Sequence, residues 1–114
     1  MKKILLRQLA HSRSGDKGSN SNIGVIAYNQ DGYEFLQKTL TAEVVNTYFK
    51  PLGLVQTIRY ELPNLLAFNF ILKEILDGGG SRSLRVDAQG KTLGQAILEM
   101  ELMAPEELLS RKAQ

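Results

Sequence analysis

A chain of 114 residues with 43% hydrophobic content is sized for one domain around one core, and 14 Lys+Arg against 12 Asp+Glu leave a net charge of only +2. The chain contains no cysteine, which excludes a disulfide framework, a Cys-type zinc site and a thiol nucleophile. The basic residues are scattered, so no nucleic-acid partner is expected; Arg7 and Gln8 interrupt the signal-like start "MKKILLRQLA", no apolar run approaches the ~18 residues of a membrane span, and the expectation is a soluble cytoplasmic protein without a membrane partner.

"KKILLRQLA" (2–10) and "NIGVIAY" (22–28) read as strands, the second through the alternation of Ile23, Val25 and Ala27. Between them, "HSRSGDKGSNSNIG" (11–24) is too polar for a core and reads as a long loop. After the turn signal "NQDG", Asp31 with Glu34 three residues on resembles a capping pair opening a helix. Leu36, Leu40, Val44, Tyr48 and Leu52 share one face if that helix runs on, whereas Thr41 could cap a second, shorter helix; Pro51 and Gly53 end either version.

"LVQTIRYEL" (54–62) alternates cleanly, with Leu54, Ile58, Tyr60 and Leu62 expected on the core side and Val55, Thr57, Arg59 and Glu61 on a wet side. "PNLLAFNFILKEILDGGG" reads as a helix capped by Asn64, with Leu65, Phe68, Leu72, Ile75 and Leu76 inward and three glycines stopping it. "SRSLRVD" is a short strand or extended loop, "GKTLGQAIL" a short helix, "EMELM" a last strand and "APEELLSRKAQ" a polar tail, so that residues 1–104 make the domain and 105–114 follow it. A sheet with one wet face and helices over the other implies an α+β, two-layer α/β sandwich, of which the ferredoxin-like arrangement is the common small example.

Three segments carry candidate chemistry. In the first, Gly15, Gly18 and Gly24 free the backbone, while Arg13 and Lys17 add positive charge, a combination suited to a phosphate or carboxylate. His11 beside Ser12 and Ser14 offers a base and a nucleophile, and Asp16 a carboxylate, though sequence neighbours rarely face one another. In the second, Asn64 is a cap and Asn69 an inward amide that needs a partner. In the third, "DGGGSRSLRVDAQGKT", glycines precede Arg82, Ser83, Arg85, Asp87, Gln89 and Gly90. Its "QGKT" is no nucleotide triphosphate loop, because Arg85 stands where that motif needs glycine, and "GGGSRS" lacks the spaced-glycine dinucleotide fingerprint. A metal site from His11, Asp16 and Asp87 lacks the tight spacing of metal motifs, and neither a metal nor a cofactor is expected. Arg82 and Arg85 could equally pair with Asp16 and Asp87 and pin the loops without any ligand.

"AHSRSGDKGSNSNIG", "YELPNLLAFNF" and "GGGSRSLRVDAQGKT", in this order, resemble the small C-terminal ferredoxin-fold domain of the acyclic terpene utilisation (AtuA-type) proteins, over about Leu5 to Met100. In that family the domain usually follows a much larger α/β domain, and members are associated with degradation of branched acyclic terpenoids through acyl-CoA intermediates. The motif positions matched here are His11, Arg13, Ser14, Gly15, Asp16, Lys17, Gly18, Asn22, Asn64, Asn69, Arg82, Ser83, Arg85, Asp87, Gln89 and Gly90. The resemblance implies an accessory subunit that joins a larger AtuA-type protein on a separate polypeptide and offers its loops to an acyl-CoA or other anionic ligand. Two rivals are a self-sufficient enzyme, with His11 as base and Lys17 or Arg82 stabilising negative charge, and a structural module that forms homo- or hetero-oligomers through the face bearing Arg7, Thr57, Arg59 and Glu61.

Overall fold

The computed structural model describes residues 1–17, 20–52, 54–74 and 93–111. Strands β2 (Ala10–Lys17), β3 (Asn20–Ala27), β4 (Leu54–Leu62) and β5 (Ala67–Glu74) form an antiparallel sheet of order β2-β3-β5-β4. Strand β1 (Lys2–Leu5) pairs antiparallel with β6 (Glu101–Ala104) in a separate ribbon. Helices α1 (Gln30–Thr39) and α2 (Ala42–Phe49) link β3 to β4, and β5 returns between those two strands. That crossover with an inserted strand is the split βαβ of the ferredoxin-like α+β fold. Two short helices, α3 (Leu93–Ile97) and α4 (Glu106–Arg111), complete the described elements. None of the described helices is long and apolar enough to cross a membrane.

The helices cover one face of the sheet, and strand alternation decides what they cover. Ile23, Val25 and Ala27 of β3 and Phe68, Phe70 and Leu72 of β5 are buried, with Val25 opposite Phe68 and Ile23 opposite Phe70. Leu36, Leu40, Val45 and Phe49 close over them from α1 and α2, and Leu93 and Ile97 from α3. Each such side chain fully withdrawn from water contributes roughly 1.5–3 kcal/mol, so this layer dominates the fold's stability. Tyr33 stacks on Phe68 with ring centroids 4.8 Å apart, inside the same core.

Several expectations need correction. The segment 11–24 is no loop: most of it is the β2–β3 hairpin, in ladder register from Ala10 opposite Ala27 to Lys17 opposite Asn20. Serine, asparagine and glycine have low strand propensity, but pairing with apolar β3 overrides it. The strand proposed over 2–10 breaks into β1 and a 3-10 turn, Leu6–Gln8, where the Gln8 side chain accepts the Leu5 N–H at 2.9 Å.

The helix proposed after Pro63 is instead strand β5. "FNFIL" satisfies a period of two as well as a helical one, and the aromatic residues favour the pleated surface. Asn64 therefore caps no helix; it lies exposed in the 3-10 turn Pro63–Leu65, and Leu65 is 65% exposed rather than inward. Leu66 completes this hairpin in the left-handed region at φ 54°, with its N–H on the Pro63 carbonyl and its own carbonyl accepting from Ala27. Ile75, Leu76, the three glycines and the strand or loop expected at 81–87 lie outside the described residues.

The single-helix version of 31–52 also fails. Asn29, not Asp31, caps α1 through Gly32, and Thr41 caps α2 by accepting the Val44 N–H at 3.1 Å. The break at Leu40 shifts the helical phase, which buries Val45 and Phe49 and leaves Val44 and Tyr48 exposed. Finally, the two sides of β4 are exchanged. Thr57, Arg59 and Glu61 lie opposite Leu72, Phe70 and Phe68 on the helix side, whereas Ile58, Tyr60 and Leu62 belong to the uncovered side.

Arg59 explains that exchange. Its guanidinium donates to the carbonyls of Gln37 and Leu40 at 3.1 and 3.0 Å and to Glu61 Oε2 at 2.7 Å, and it stands 5.2 Å from the Phe68 ring centroid. A cation is thus spent on the C-terminal carbonyls of α1, where the helix dipole favours it.

Candidate functional site

The side of the main sheet away from the helices brings the motif residues together. Cross-strand register sets Arg13, Gly24, Asn69 and Tyr60 in one row across all four strands. The neighbouring rows are His11, Ile26, Ala67 and Leu62, and Gly15, Asn22, Ile71 and Ile58. Residues two apart on adjacent strands face the same way, so His11, Arg13, Gly15, Asn22 and Asn69 share this face although 58 positions separate the first from the last.

At its centre is a shallow depression of about 580 Å³, lined by Gly24, Ile26, Tyr60, Leu62, Leu65 and Asn69 among others. Gly24 lies within it: a Cβ built there would meet nothing within 4 Å. Tyr60, 53% exposed, and Leu65 form apolar walls open to solvent. The polar groups sit beside this apolar patch. Asn22 Nδ2 donates to Asn69 Oδ1 at 3.2 Å, which leaves the Asn69 amide N–H groups and the Asn22 carbonyl oxygen with further bonding capacity. Arg13 and His11 are exposed, and the His11 ring stacks on Tyr28 with centroids 5.9 Å apart.

The arrangement can hold an apolar group against Gly24 while an amide pair and a guanidinium address a polar or anionic end. It does not build a serine nucleophile beside His11. Strand alternation sends Ser12 and Ser14 to the helix side, opposite Val25 and Ile23, where the Ser12 hydroxyl donates to the Gly94 carbonyl at 2.6 Å. Gly94 permits this approach: a Cβ there would stand 3.1 Å from Ser12 Oγ and 3.2 Å from Ser14 Oγ. Both serines thus serve the docking of α3.

The remaining motif residues divide between placed and undescribed. Asp16 and Lys17 hold the register positions opposite Ser21 and Asn20 at the end of β2. Asn64 is in the β4–β5 turn next to Leu65, which lines the depression. Gly18, Arg82, Ser83, Arg85, Asp87, Gln89 and Gly90 lie outside the described residues. Among the described residues no three His, Asp or Glu side chains gather where they could hold a metal ion. Sequence reasoning missed Gly24 as the floor and Tyr60 and Leu62 as walls. An isolated glycine inside an apolar strand was the available signal, since such a position marks a close approach by a ligand or another chain.

No curated protein and no solved structure matches the chain. A family model described as the AtuA ferredoxin-like domain matches residues 4–103. That span contains every strand of the main sheet and part of the two-stranded ribbon. The chain therefore belongs to the AtuA ferredoxin-like domain family.

Proposed function

We propose that this domain is the accessory subunit of an AtuA-type protein. The larger polypeptide seats on the uncovered sheet face, and the joint encloses an anionic small molecule of the acyl-CoA type during breakdown of branched acyclic terpenoids. The observation that supports this reading is the convergence of His11, Arg13, Asn22 and Asn69 around a depression floored by Gly24. An apolar hollow of that kind takes an acyl chain, and an adjacent guanidinium suits a carboxylate or phosphate. Monomeric proteins rarely leave large contiguous apolar patches uncovered, which favours a protein lid over a site open to bulk water. In this role the chain binds and orients; His11 is available at the rim as a proton acceptor, with no serine beside it.

The test is co-elution of the chain with a larger AtuA-type polypeptide, with and without CoA or an acyl-CoA ester. Joint elution that Arg13→Glu or Gly24→Phe abolishes, with the fold intact, is the expected result. Separate elution under every condition, or joint elution indifferent to both substitutions, overturns the reading.

A further inference from the structure

The outer edge of β4 carries a second ordered pattern. Among the described residues the main sheet ends on β2 at one side and on β4 at the other. An open strand edge is a template for another strand, and proteins blunt it with charge, proline, bulges or cover. Strand β2 is blunted in this way: it contains Arg13, Gly15 and Lys17, and α3 docks on it through Ser12 and Gly94. In β4 a register shift between Leu54 and Gln56 and the proline at 63 bound the run Thr57–Leu62, which holds no lysine and no proline.

We propose that two copies of this chain pair edge to edge through β4, antiparallel, about a two-fold axis at Tyr60. An axis perpendicular to the sheet keeps each face on its own side, so it must run midway between the two copies of one residue, and charge selects which one. Centred on Arg59 or on Glu61 it would set like charges directly opposite each other, which is unfavourable. Centred on Ile58 it would leave Arg59 facing a threonine. Centred on Tyr60 it sets Arg59 opposite Glu61 of the partner subunit twice, and Ile58 opposite Leu62 of the partner subunit twice.

The ion pairs fit what the monomer already has. Arg59 carries five N–H donors, and its three bonds, to Gln37, Leu40 and Glu61, leave capacity for another carboxylate. Glu61 accepts from Gln37 at Oε1 and from Arg59 at Oε2, one bond at each oxygen, so both can take a second. Pairing joins two four-stranded sheets into one of eight. Because Tyr60 lines the depression in each copy, the two hollows become neighbours across the axis on one continuous apolar surface.

The absence of cysteine makes the geometry directly testable. Residues opposite each other in an antiparallel pair have Cα atoms about 4.5–5.5 Å apart, inside the roughly 4.4–6.8 Å that a disulfide spans. Mild oxidation of Tyr60→Cys should convert most of the protein to a covalent dimer on a non-reducing gel. Leu62→Cys should stay largely monomeric, because its own equivalent lies four residues away along the ladder, about 13 Å at ~3.3 Å per residue. The pair Ile58→Cys with Leu62→Cys should cross-link again.

Sedimentation equilibrium of the unaltered chain should show a concentration-dependent dimer, and Tyr60→Lys, which sets two cations against each other at the axis, should shift it to monomer with an unchanged far-UV spectrum. Equal cross-linking of Tyr60→Cys and Leu62→Cys, a monomer at hundreds of micromolar, or a dimer untouched by Tyr60→Lys would overturn the proposal. Gly24→Val fills the hollow without touching the edge, so it should leave this dimer intact whether or not the AtuA-type partner binds.

Discussion

Asn22 and Asn69 lie on neighbouring strands of the uncovered face and are joined by one side-chain hydrogen bond, Nδ2 to Oδ1, at 3.2 Å. The bond fixes which polar atoms of this pair keep bonding capacity beside Gly24. Asn69→Asp keeps the acceptor for Asn22 and adds a negative charge in the row that holds Arg13. Its unfolding free energy should stay within about 0.5 kcal/mol of the unaltered chain, while binding of CoA by the complex with the larger protein weakens at least tenfold by calorimetry. Asn69→Leu should instead cost about 1 kcal/mol by breaking a half-buried hydrogen bond.

Gly24→Val is expected to move stability and binding in opposite directions. Nothing stands within 4 Å of the added Cβ, and replacing a mid-strand glycine removes a conformational penalty of roughly 0.5–1 kcal/mol. Urea denaturation should show a gain of about that size, and co-elution with the AtuA-type partner should fall. A loss of stability would mean that the hollow is not free space.

Tyr33 is only 3% exposed, and its hydroxyl has no hydrogen-bond partner among the described residues. Tyr33→Phe removes an unsatisfied buried group and should raise stability by about 1 kcal/mol. Burial, and then the Glu61 carboxylate, push the Tyr33 phenol above its ordinary value of 10.0, against an opposing pull from Arg59. With the folded-state value raised, the protonated phenol's contribution is fully present below pH 10.0 and is lost as pH rises through the folded value. Alkaline denaturation curves should therefore be less steep above pH 10.0 for Tyr33→Phe than for the unaltered chain.

Arg59→Leu leaves the carbonyls of Gln37 and Leu40 without their donor and Glu61 without its cation, at a side chain only 17% exposed. A loss of about 2 kcal/mol is expected in chemical denaturation. Arg59→Lys should recover part of it, since an ammonium cannot serve the two carbonyls and the carboxylate in one planar fork.

The α+β class, the end of the helical segment just before Pro51, the buried set Ile23, Val25 and Ala27, and the final strand were all readable from residue spacing; Gly53 lies outside the described residues. What misled was competition between periods. Phe68 and Leu72 fit a helical stripe four apart, and only Phe70 between them argues for a strand. Arg59 looked wet because it is charged, yet a helix end 19 to 22 positions earlier in the chain needed its donors. Of the candidate site, His11, Arg13, Asn22 and Asn69 were picked out by type, but their shared face depends on the ladder of β2, β3 and β5, which no local pattern reveals. Gly24 was legible only as a glycine freeing the backbone of a polar segment, not as the floor of a hollow.

The polar signature "AHSRSGDK" is one strand, and its two alternating sets live in different surroundings: Ser12 against α3, His11 and Arg13 toward the uncovered side. Deleting a single residue at its start would slip the register and exchange them, driving a guanidinium under the helices and turning the serines outward. Length in this stretch is therefore as binding a constraint as chemistry. Natural variants of the domain should vary by substitution there and place their insertions elsewhere.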